Sequence, residues 1–221
     1  MINKKLKKYI DNKIMIKYKD NNYGGHGWEH IQDVIMRSFE LIKKFDLEVN
    51  PDLVYTIAAY HDIGYRQDPD NHEQVSSEIF MQDEMMKEFF NDEERTIIAE
   101  AIVDHRASLE YEARSIYGKI VSSADRAIDV DIMLKRSIAF QAEKHKSENP
   151  TIEQVIEYSF KKLSSKYGNG GYAKMYFPDD KYKNYLEKMN KLFTDKNEFI
   201  KAELDLISNN ADLKELFDTK E

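Results

Sequence analysis

In a chain of 221 residues there are only four prolines and eight glycines, and they fall between segments whose apolar residues recur every three or four positions. That is the punctuation of helices, and no stretch shows the alternation of a strand. The pattern predicts an all-α protein. The expected helices cover about 3–19, 28–45, a nearly all-apolar segment "PDLVYTIAAYHD" that opens on Pro51 and ends by Gly64, then 72–90 and a helix starting at Asp92 behind Asn91 or Asp92 as cap. Further helices are expected over 116–130, 131–147, from Thr151 to about Tyr167 with a Thr151–Gln154 capping box, and over 180–208 as one long element. "DNNYGGHG" breaks the first helix from the second. "GNGGYAKMYFPDD", with three of the eight glycines, is the internal loop best suited to act as a lid, or simply as a connector.

Length and composition suit one domain over 1–221, with a core at about 24–145 and a C-terminal helical extension at about 150–221. The balance of 33 basic against 41 acidic residues, a net charge of −8, argues against a protein that holds long nucleic acid through its phosphates. With no cysteine, disulfides, thiolate nucleophiles and Cys-ligated zinc are excluded, so any metal must be held by His, Asp, Glu and water. The lysine-rich N-terminus lacks the apolar run of a signal peptide, and no stretch is apolar enough to span a membrane. A cytoplasmic protein is expected.

Six histidines occur, at 26, 30, 61, 72, 105 and 145. Singly, a histidine is more often a surface or satisfied core residue than a ligand. His61 and Asp62, however, end the apolar run "LVYTIAAY", where an unpartnered aspartate would be costly to bury and a shared divalent cation removes the penalty. Asp125 sits in a similar setting in "YGKIVSSADRAIDV", with a surface pair to Arg126 as the plainer alternative. His30, in "GWEHIQDVI", shares a helix face with Val34 and can look into a bundle.

In this order and separation "HIQDV", "YHDIG" and "SADR" resemble the HD-domain superfamily of metal-dependent phosphohydrolases, over about residues 24–145. The resemblance implies an HD-type helical bundle with additional C-terminal helices and one divalent ion (Mn, Fe, Co, Ni or Mg) held by His30, His61, Asp62 and Asp125. In its extended form it implies a second ion on His72 and His105, bridged by Asp62. The alternative is that His72 and His105 contact a substrate phosphate over a single ion, which the short gap from Asp62 to His72 favours. The implied substrate is a small phosphate ester such as a nucleotide, with Asp62, His72, His105, Arg66 and Arg106 as the catalytic set; Arg126 is a third candidate for a phosphate. Glu73, beside His72, could orient a ligand imidazole or activate water, or simply favour the helix dipole; His26 and Trp28 are expected to wall a pocket, and His145 to be solvated. Two other functions share this donor set: a dinuclear iron oxygenase, and a non-catalytic nucleotide-sensing module. The chain lacks the His-Asp-x-x-Glu-Asp pattern of (p)ppGpp hydrolases and the Gly-Tyr-Pro signature of cyclic-di-GMP phosphodiesterases.

Overall fold

A computed structural model describes residues 1–19 and 25–217; the expected break at 20–27 and the chain end at 218–221 lie partly or wholly outside them. Among the described residues there are helices and no strand, as the periodicity predicts. No described helix is long and apolar enough to cross a membrane. Chain contacts divide the molecule into two compact units: Met1–Arg126 with Lys174–Pro178, and Ala127–Ala173 with Asp179–Glu221. The helix expected at 131–147 thus groups with the later helices and not with the segment that carries the candidate ligands.

The first unit begins with α1 (Lys4–Tyr9), capped by the Asn3 side chain and continued by a π-helical turn, Ile10–Ile14, and a 3-10 turn, Met15–Tyr18. The expected single helix is therefore three consecutive helical forms. Leu6, Ile10, Ile14 and Tyr18 from this stretch are all buried in the core. Next come α2 (Trp28–Lys44), α3 (Pro51–Tyr60), α4 (His72–Gln82), α5 (Asp92–Asp104) and α6 (Ile116–Ala124). Proline at the first turn and the Asn50 side chain on the Asp52 amide start α3, whose residues from Leu53 to Tyr60 are all buried. Asn91 rather than Asp92 caps α5, in a reciprocal capping box with Glu94.

The helix expected at 72–90 breaks at Asp83. Its carboxylate accepts from the hydroxyls of Tyr9 and Tyr60 and from the Met85 amide, so it caps a fresh 3-10 turn, Glu84–Glu88, instead of continuing α4.

The second unit contains α7 (Val130–Lys144), α8 (Ile152–Tyr167), α9 (Asp180–Thr194), α10 (Lys196–Asn209) and α11 (Ala211–Glu215). The Thr151–Gln154 capping box starts α8 as the sequence predicts. The expected 180–208 helix is split because the Asp195 side chain accepts from the amides of Asn197 and Glu198, which caps α10. Inside this unit Glu203 is fully buried, accepting from Ser159 Oγ at 2.5 Å while Ser159 meets Ser137 Oγ at 2.7 Å.

Candidate metal centre

The end of a helix leaves four carbonyls without intrahelical partners, and in the first unit three such ends carry the candidate ligands. His61, His105 and Asp125 are the residues at which α3, α5 and α6 terminate. His61 Nδ1 lies 2.8 Å from the Ala58 carbonyl, and His105 Nδ1 lies 2.5 Å from the Ile102 carbonyl. Each imidazole thus caps the carbonyl three residues back with its Nδ1–H, which fixes the tautomer and turns Nε2 toward the interior. Tyr18 donates to the Ala59 carbonyl at 2.9 Å and satisfies a further one. His72 opens α4 and repeats the device on the Pro69 carbonyl at 3.0 Å. His30 enters from the first turn of α2. The partial negative charge at three helix C-termini favours a cation at their meeting point.

Asp62 lies at the middle and is 1% exposed. Its Oδ2 is 3.2 Å from His30 Nε2 and 3.0 Å from His61 Nε2, and His30 Nε2 is in turn 3.2 Å from Asp125 Oδ1. Its Oδ1 is 3.4 Å from His72 Nε2 and 3.6 Å from His105 Nε2, and those two nitrogens are 3.2 Å apart. One carboxylate therefore faces a separate set of donors with each oxygen. Adjacent ligands held about 2.0–2.2 Å from one ion stand about 2.8–3.6 Å from each other in octahedral or tetrahedral geometry, the range of the spacings above; His61 Nε2 and Asp125 Oδ1, at 4.0 Å, stand further apart.

Two further observations fit a cation. Asp62 Oδ1 is buried and accepts no hydrogen bond, an arrangement that costs free energy unless a positive charge compensates. And His72 is kept neutral: burial, joined by neighbouring His105, lowers its imidazole to about 4 despite the pull of Asp62. With Nδ1–H committed to Pro69, its Nε2 presents a lone pair toward His105. On the other limb, burial would lower His61, but the charge and hydrogen bond of Asp62, with Asp125 behind them, outweigh it and raise His61 to about 9. Burial would likewise raise both carboxylates, yet His26 and His61 hold Asp62 far below its ordinary range and His30 does the same for Asp125. Protons on these imidazoles occupy the places that a divalent ion would take.

Residues 27–128 match the family model of the HD domain. The chain carries an HD domain. The search of curated proteins gave no match. A crystal structure of a predicted HD superfamily hydrolase from an uncultured Thermotogales bacterium is similar at 16% identity, with a TM-score of 0.49, over 89% of this chain and 92% of that one.

The HD domain brings together His30, His61, Asp62, His72, His105 and Asp125. It does not bring Arg106 or Arg126 there as open phosphate donors. Arg126, which the surface-pair alternative would leave exposed, is buried; it donates to the His105 carbonyl at 3.0 Å, Ser122 Oγ at 2.7 Å, the Lys174 carbonyl at 3.1 Å and Asp125 Oδ2 at 3.3 Å. It thus ties the end of α5 to Asp125. Arg106 Nη1 is engaged by both Glu73 oxygens at 2.6 Å and by the Asp70 carbonyl at 2.5 Å, which gives Glu73 a partner the sequence does not suggest. Arg66 is exposed and shares with Lys17, Tyr18, Ile63 and Gln67 a cavity of about 160 Å³.

Ser123 Oγ accepts from the amides of Tyr176 and Phe177, so the second half of the glycine-rich loop is anchored two residues from Asp125 and is no free lid there. His145 is only 21% exposed, bonded to Glu148 and stacked on Tyr158, instead of solvated. Trp28 lies beneath the Lys19 ammonium. The donor that sequence reasoning misses is His26, whose Nδ1 is 2.6 Å from Asp62 Oδ2. The one available signal is its position four residues ahead of His30.

Proposed function

We propose that the HD domain is a metal-dependent hydrolase that cleaves small phosphate esters, nucleotides among them, with two divalent ions sharing Asp62. The observation that carries this reading is the division of labour at Asp62: Oδ2 faces His30 and His61, Oδ1 faces His72 and His105, and Oδ1 accepts no hydrogen bond. His30, His61, Asp62 and Asp125 would hold one ion, and Asp62, His72 and His105 the other. This departs from the single ion that the spacing of Asp62 and His72 suggests, because the His72–His105 nitrogens are as close as the donors of the first set.

Divalent ions bound there would supply a lowered water pKa and Lewis-acid polarisation of a phosphoryl oxygen. The chain's own residues prepare the place. Carbonyls orient three imidazoles, Arg126 holds Asp125 in register, and the Arg106–Glu73 pair fixes the start of α4, on which His72 sits. Arg66 and Lys17, around the small cavity one residue from Asp62, are cations suited to the remaining oxygens of an anionic substrate. The ligand set of nitrogen and oxygen donors suits Mn, Fe, Co, Ni or Mg alike.

The test is a phosphatase screen over nucleotides and other phosphomonoesters and diesters, with each of these ions added to chelator-treated protein. Phosphate release that needs the ion, and stops on chelation, is the expected result. An ion-loaded protein that releases no phosphate, or that consumes oxygen with iron bound, would contradict the hydrolase.

A further inference from the structure

His26 lies one residue ahead of the matched family segment, yet its contact with Asp62 is closer than any spacing within the two donor sets. At 2.6 Å its Nδ1 stands at a charge-assisted hydrogen-bond distance from Oδ2, whereas two ligands of one ion would stand about 2.8 Å apart or more. His26 is therefore a donor to the carboxylate and not a companion ligand. The ring is also held from the side. It stacks on Tyr65 with centroids 3.9 Å apart and planes 19° apart, and Tyr65 is itself buried, with its amide bonded to the Asp62 carbonyl at 3.0 Å. The turn that carries Asp62 thus carries the ring that fixes His26, and His26 in turn meets the carboxylate.

An aspartate carboxylate turns in a broad well about its last torsion, and Oδ1 has no hydrogen bond to stop it. The Nε2 atoms of His30 and His61 also approach Oδ2, but those are the atoms an ion would claim. We infer that His26, braced by Tyr65, is a positioning residue that sets the Asp62 carboxylate so that one oxygen faces each donor set. The inference rests on the two-ion reading above. The His72–His105 set has the fewer donors, so it depends most on Oδ1 being aimed correctly.

The experiment measures Mn(II) binding to the full-length protein by titration calorimetry and elemental analysis for wild type, His26→Ala and His26→Asn. The asparagine amide places an N–H close to where Nδ1 stands. Wild type should bind two ions. His26→Ala should keep one at near wild-type affinity and bind the second 10- to 100-fold more weakly, the usual effect of losing such a partner of a ligand. His26→Asn should recover the second to within a few-fold. Circular dichroism and melting establish that both variants are folded, and the asparagine variant tests the claim even if the alanine variant is not. A wild-type isotherm in His26→Ala would overturn the inference, as would equal loss of both ions in a folded variant or an asparagine no better than alanine. Fewer than two ions in wild type would instead sink the two-ion reading itself.

Discussion

A carboxylate has two oxygens, and Asp62 gives each a different audience, which is why a single aspartate after an apolar helix can organise six histidine and aspartate side chains. The doublet His61–Asp62 is legible because an apolar run has no other reason to end on two polar groups. His26 is barely legible, since its spacing from His30 is the one hint and a histidine within a glycine-rich turn gives no sign that its ring will return to Asp62. Glu203 is hidden for another reason: in "KAELDLIS" it reads as one more charged residue on a solvated helix face, yet it is fully buried. Burial pushes its carboxyl up to about 8, against the opposing hydrogen bond from Ser159. The unfolded chain gives up that proton near the ordinary glutamate value while the folded chain keeps it, so stability falls as pH rises from about 4.5 to about 8, by roughly 1.4 kcal/mol per unit from this group. Melting of Glu203→Gln across that window should lose this part of the slope. An identical slope in the two proteins would show that Glu203 titrates normally.

At the scale of elements, the centre is an assembly of helix ends: the C-termini of α3, α5 and α6, and the first turns of α2 and α4. The capping signals at Asn91 and Thr151 are readable because they involve residues three apart in sequence. The breaks at Asp83 and Asp195 are not, because each comes from an aspartate turning to backbone amides within a polar stretch without proline or glycine. Gly64 shows how closely the ends are packed. Its backbone dihedral is ordinary, but a Cβ there would lie 2.7 Å from the Ser76 amide nitrogen, 2.8 Å from Val75 Cβ and 2.9 Å from the His72 carbonyl. The Gly64 amide also donates to Ser76 Oγ at 2.9 Å. Gly64→Ala should therefore push α4, and His72 with it, away from Asp62, costing about 1–3 kcal/mol by overpacking. A lower melting temperature together with weakened binding of one ion is expected; a wild-type melt and a wild-type isotherm would refute the close packing.

For the whole molecule, the all-α class follows from helical periodicity and scarce breakers, and the HD domain from three short motifs whose order survives folding. What composition cannot show is which unit a helix joins. Residues 130–144 read as a continuation of the core, but their contacts are made with the helices that follow, since Leu134, Ser137 and Ile138 are buried in the second unit. The residues of the cluster are legible as a list, while their division into two sets around one carboxylate shows only in the fold. That division is the central claim, and elemental analysis tests it most directly, on protein purified without chelator or affinity metal and then saturated with Mn(II). The account predicts two ions per chain in wild type and loss of bound metal in Asp62→Ala. A wild type that binds fewer than two, or an Asp62→Ala protein that keeps both, would contradict it.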